Sequence, residues 1–127
     1  TYTDPEVAHV GLGQKEAEER GGTTYTYPFA DLDRAIADGE TQGFAKVSAD
    51  RKGRILGATV LGYGAGELLM PLVLAMQNGL TLPKISGTIF PYPTRVEGVK
   101  RAADAFQRSR LDGTGGKVLR KVVSWLR

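Results

Sequence analysis

The sequence predicts an α+β fold, an antiparallel sheet covered on one face by helices. Segments of β-branched and aromatic residues crowd the first half of the chain, and apolar residues at helical spacing crowd the second. Two alternating segments meet across Asp50-Arg51-Lys52-Gly53, a turn that makes their pairing antiparallel.

Taken in order, Thr1-Tyr2-Thr3 is β-prone and Asp4-Pro5 ends it. Gln14 to Arg20 is rich in helix formers and stops at Gly21-Gly22. Thr23 to Phe29 (TTYTYPF) reads as a strand, with Pro28 restricting it to an edge or an end. Ala30 to Asp38 is an irregular or single-turn connection whose acidic residues, Asp31, Asp33 and Asp38, lack the glycine and closing glutamate of a calcium loop and read as solvated. Gly43 to Ala49 and Arg54 to Leu61 form the hairpin. Gly62 to Gly66 opens a helix over Glu67 to Asn78, apolar around most of its circumference, which predicts burial on more than one side. A short segment, Leu82 to Ser86, leads to Thr88-Ile89-Phe90-Pro91-Tyr92-Pro93-Thr94, where two prolines forbid both helix and central strand. A helix from Thr94 to about Arg110 follows. Gly113 to Gly116 is a flexible joint, and Lys117 to Arg127 is an amphipathic C-terminal helix. The expected division is a domain over residues 1–112 and a joint plus helix over 113–127.

Composition removes several function classes. With 127 residues, 41% hydrophobic and 24% charged, the chain is a globular domain, too short for a complete two-nucleotide enzyme. Cysteine is absent, so no disulfide, thiolate nucleophile or cysteine metal site is available. His9 is the one histidine, without a second ligand nearby, and no protein metal site is predicted. Neither a leader nor a run long enough to span a bilayer is visible, and the expected location is cytoplasmic. Thr1 opens in strand-like sequence, so the chain is expected to be a piece of something longer. The net charge of +3 conceals an asymmetry: residues 1–99 hold 9 Lys and Arg against 12 Asp and Glu, residues 100–127 hold 8 against 2. Most aromatics lie in the acidic part, away from the basic tail, which argues against a nucleic-acid surface.

Three motifs remain. The glycines at 62–66 precede a helix, but Glu67 stands where a dinucleotide fingerprint needs its third glycine, and a tight strand-to-helix turn is the better reading. Thr94-Arg95-Val96-Glu97 matches a capping box. Tyr92-Pro93 is a candidate cis peptide that would hold a phenol in a fixed direction at the mouth of a helix.

Tyr2 to Leu12, Gly43 to Val47, Arg54 to Ala58, Gly64 to Leu68 and Thr88 to Glu97 together resemble the C-terminal dimerisation domain of the pyridine nucleotide-disulfide oxidoreductases, a family that includes dihydrolipoamide dehydrogenase, glutathione reductase and mercuric reductase. The resemblance covers about residues 1–108. It implies the dimerisation-domain type of fold and a homodimeric parent that uses FAD and NAD(P)H, both carried by upstream domains, with none bound by this chain alone. In the disulfide reductases this loop carries a histidine, paired with a glutamate on the helix, that serves the other subunit's active site. Here Tyr92 takes the histidine's place, as in mercuric reductases, and Glu97 the glutamate's. Tyr92 and Glu97 are therefore candidate catalytic residues acting in trans, and Tyr92 and Pro93 candidates for contact with the partner's flavin. Mercuric reductases also carry a vicinal cysteine pair near the C-terminus, which this chain lacks. Tyrosine's ordinary pKa of about 10 keeps it a neutral hydrogen-bonding group rather than a proton shuttle at neutral pH. Two alternatives stand beside this reading: a purely structural interaction module, and a membrane-surface adaptor working through the basic tail.

Overall fold

A computed structural model describes residues 4–112 and 121–126. Four antiparallel strands make one sheet: β1 (Val7–Gly11), β2 (Thr23–Pro28), β3 (Phe44–Ala49) and β4 (Ile55–Leu61), in spatial order β1-β4-β3-β2. The helices are α1 (Gln14–Glu19), α2 (Asp33–Asp38), α3 (Ala65–Gln77), α4 (Leu82–Ser86) and α5 (Glu97–Asp112), with a 3₁₀ turn at Phe29–Asp31 before α2.

The alternation of the strands decides which face is covered. Ala8, Ala45, Val47, Ala58 and Val60 all point to one side and are buried there against α3 and α5. Phe106 of α5 meets Tyr25 of β2 edge-to-face with ring centroids 5.6 Å apart. On the other face lie His9, Lys46 and Thr59, and short α1 reaches round to it, where Lys46 donates to Gln14 at 3.1 Å. The predicted α+β class is what the structure has, with the long helices α3 and α5 on one face and short α1 on the other. Phe29, fully buried, plugs the space between the sheet end and the first turn of α5.

Tight backbone approaches need glycine. Gly43, at φ +103°, enters β3 so close to β4 that a Cβ there would collide with the Leu61 carbonyl. Left-handed backbone and lack of space together exclude any other residue.

Several elements differ from expectation. Val7–Gly11, unassigned from the sequence, is edge strand β1, because pairing with β4 over its full length satisfies backbone groups that five residues could not satisfy alone. The strand expected at residues 1–3 lies outside the described residues, as do the joint at 113–116 and the start of the C-terminal helix. Ala30 to Asp38 is more regular than expected, a 3₁₀ turn running into α2. Helix α5 starts at Glu97 rather than Thr94, since residues 95 and 96 form tight turns to Gly98 and Val99. Residues 121–125 are helical, and their apolar side chains are uncovered in the single chain: Trp125 is 86% and Leu126 83% exposed. Among the described residues, no helix is long and apolar enough to cross a membrane.

Candidate functional site

The Phe90–Thr94 loop is held from several sides. Pro91 and Pro93 contribute no N–H donors, so the loop depends on bonds made by its carbonyls and by its neighbours' side chains. Thr94 donates its hydroxyl to the Pro91 carbonyl at 2.7 Å, and its backbone N–H donates to Glu97 Oε1 at 3.1 Å. Only half of the expected capping box therefore forms. Glu97 reaches back as the motif predicts, but the Thr94 hydroxyl closes the loop instead of accepting from a first-turn amide. From α2, Arg34 donates through Nη1 to the Pro93 carbonyl at 3.1 Å while its Nε engages Asp38. The Tyr92–Pro93 peptide is cis, as the aromatic–proline pair predicts.

Tyr92 stands on this loop with 68% of its surface exposed. Its hydroxyl donates to Asp33 Oδ2 at 2.7 Å. The carboxylate partner of the phenol is thus Asp33 on α2, not Glu97 on α5. The expectation that Asp33 is merely solvated is corrected by this contact. The hydrogen bond to Asp33, then the charge of that carboxylate, with smaller contributions from burial and from Glu97, raises the Tyr92 pKa above its ordinary 10.0. The phenol therefore stays protonated well into alkaline solution.

Glu97 is nearly buried, at 8% exposure, and lies in the same cleft as Tyr92, Asp31, Asp33, Tyr27 and Arg101. Tyr27 is committed to the Asp31 carbonyl at 2.8 Å. The cleft holds about 40 Å³, little more than one water. That volume is too small to enclose a cofactor.

Arg95 ties the loop's far side to the domain. Its Nε donates to the Tyr63 carbonyl at 3.2 Å and its Nη1 to the Glu40 carbonyl at 3.0 Å, with the guanidinium stacked 4.9 Å from the centroid of Phe29. Sequence reasoning gave no role to Arg34, gave Arg95 none beyond its place in the capping box, and read Asp33 as solvated. Asp33 lies 59 residues from Tyr92, and no local pattern marks the pairing.

The remaining sequence candidates are accounted for locally. His9 Nε2 donates to the Gly11 carbonyl at 2.9 Å, and Nδ1 faces the Thr59 hydroxyl at 2.7 Å, a tautomer in which both ring nitrogens are satisfied within the sheet. At the glycine turn, the Gly66 N–H donates to Glu6 Oε2 at 3.3 Å. A carboxylate of the protein itself thus occupies the start of α3, where a phosphate would need the amide.

The model of one family, the pyridine nucleotide-disulphide oxidoreductase dimerisation domain, matches residues 1–103. A mercuric reductase from Acidithiobacillus ferrooxidans is 40% identical over 110 residues, covering 84% of this chain and 20% of that protein. One from Shewanella putrefaciens is 36% identical over the same length and shares. The chain spans about a fifth of the length of these curated relatives. Among solved structures, LpdA from Mycobacterium tuberculosis superposes with a TM-score of 0.77 at 29% identity, over 82% of this chain and 23% of that one. The Cu(II) complex of the HOCl-induced flavoprotein disulfide reductase RclA from Escherichia coli does so with 0.76 at 26% identity, over 82% and 24%.

Proposed function

The chain belongs to the pyridine nucleotide-disulphide oxidoreductase dimerisation-domain family, and from that membership we propose that it is the interface domain of a homodimeric, cytoplasmic, FAD-dependent NAD(P)H oxidoreductase resembling mercuric reductase, lending one wall to the partner subunit's active site and inactive alone. The observation that carries this reading is the Tyr92 phenol, exposed on a loop that Asp33, Arg34 and Glu97 anchor to two helices. A side chain built only for packing has no need of such a fixed, outward position.

FAD would carry electrons between the nicotinamide and the substrate. That this chain holds no FAD itself is supported by the small size of the Tyr92 cleft, about one water, and by the Glu6 carboxylate at the amide that opens α3. FAD and NAD(P)H are assigned to the rest of the parent. Tyr92 and Pro93 would face the partner's flavin edge, with Tyr92 supplying a neutral, positioned hydroxyl and Glu97 holding the loop through the Thr94 amide. A preparation of this chain alone is expected to be colourless, and a stoichiometric flavin absorbance would overturn that assignment.

The decisive experiment uses the full-length parent. Tyr92→Phe is expected to lower turnover about 10-fold or more, the effect of removing one positioned polar group, with flavin content unchanged. Glu97→Gln should do less, because a glutamine oxygen still accepts from Thr94. Equal and trivial effects from both would leave a structural module as the better description.

A further inference from the structure

We propose that Asp33 is a positioning residue for Tyr92: by taking the phenolic hydrogen it turns the oxygen's lone pairs outward, so that Tyr92 meets its ligand as an acceptor toward a cationic or hydrogen-donating group, and not as a donor toward an oxyanion. The inference rests on the proposed role of the loop for what arrives there, whereas the bond itself is independent of that role.

A phenolic hydroxyl has one hydrogen to give and lone pairs to offer. At 2.7 Å from Asp33 Oδ2, that hydrogen is committed to a carboxylate, an acceptor that gives nothing back in its ionised form. Among the described residues, no other group bonds the Tyr92 hydroxyl, and the side chain is two-thirds exposed. What remains available to a ligand is electron density. The grip is two-handed, since Asp33 and Arg34 are consecutive residues of α2: one holds the Tyr92 side chain and the other the Pro93 carbonyl. Loop and phenol therefore move with the same helix. The surroundings reinforce the polarity. Asp31 beside α2 and Glu97 on α5 line the cleft with carboxylates, against the guanidinium of Arg101. Arg34 has its charge matched by Asp38, and the Tyr27 hydroxyl is spent on the Asp31 carbonyl. An oxyanion approaching Tyr92 would face a hydroxyl with no free hydrogen in the neighbourhood of three carboxylates.

The test needs no ligand. The 127-residue chain, labelled with ¹³Cζ-tyrosine and with the Tyr92 signal assigned through Tyr92→Phe, is titrated into alkali and also recorded at pH 7. Asp33→Asn is expected to move the Tyr92 midpoint to lower pH and to change its pH 7 shift. Glu40→Gln, which removes one negative charge just after the same helix without touching the phenol or the Arg34 grip, should change neither. If Asp33→Asn leaves both signals in place, or Glu40→Gln moves them equally, the inference is wrong. In the full-length parent, Asp33→Ala should lower kcat in the same direction as Tyr92→Phe, at unchanged flavin content. Parent-like kcat for Asp33→Ala beside a depressed Tyr92→Phe overturns the positioning role alone. A positive NMR result with both variants at parent-like turnover overturns the functional reading and leaves the bond standing.

Discussion

Asp50 and Tyr92 respond to their neighbours in opposite directions. Burial pushes the Asp50 carboxyl up, but the Arg54 N–H, the Arg54 guanidinium at 2.6 Å and the Lys52 N–H together outweigh it and hold the group below its usual 3.8. Tyr92, facing an acceptor that is itself negative, is pushed up. The Asp50 shift has a consequence for stability. A carboxyl with a depressed folded-state pKa contributes stability that is fully present above its unfolded value and is lost as pH falls through the folded one. Asp50→Ala is expected to cost about 1–3 kcal/mol at pH 7, the range for losing charge-assisted bonds that close a turn. In urea titrations, the gap between parent and variant should narrow below about pH 4, where the unfolded carboxyl also takes up its proton. A gap of constant size from pH 7 to 3 would show that the turn does not depend on the charge.

At the scale of elements, α3 carries two different faces. Ala65, Leu68, Leu69, Leu72 and Ala75 are buried against the sheet, while Met70 and Leu74 are 55% and 56% exposed. Leu72, at 1% exposure, has no room to be replaced by anything smaller without leaving a cavity. Leu72→Ala should therefore cost about 2–5 kcal/mol, whereas Leu74→Ala should stay within about 0.5 kcal/mol. Denaturant midpoints at unchanged slope are the measurement, and similar losses for both would mean that the helix sits in another rotation. The β3–β4 hairpin was legible to within one residue because alternation and turn chemistry agree there over a short stretch of chain. Strand β1 was not, since its pairing is with a strand some fifty residues away.

At the scale of the molecule, Met70 and Leu74 on the exposed side of α3 are joined by exposed Tyr63 just before that helix and Leu80 just after it in the chain. Apolar surface of this kind on a single domain favours association, and a two-fold contact between identical patches is the simplest closed form. The chain is expected to sediment as a dimer at tens of micromolar, and a Met70→Glu, Leu74→Glu double variant to sediment near the monomer mass of 13.7 kDa. A parent chain already monomeric at that concentration would count against an interface on this face. Removing residues 113–127 separates this contact from any made by the C-terminal helix, whose Trp125 and Leu126 are also uncovered.

The α+β class, the hairpin, the two long helices and the candidate cis peptide at Tyr92–Pro93 were legible in the amino-acid sequence alone. Each follows from residues within a few positions of one another: alternation, turn glycines, helical spacing, paired prolines. The same local logic led to Glu97, whose reach back to Thr94 spans three residues. Only the tertiary structure decided that Val7–Gly11 is a strand, that the Thr94 hydroxyl serves Pro91, and that Asp33 is the partner of Tyr92. Those outcomes depend on contacts between distant segments, where a side chain's choice among several possible partners is settled by which one the packed sheet and helices bring within 3 Å. An aspartate at the start of a short helix looks solvated until the loop 59 residues later is folded against it.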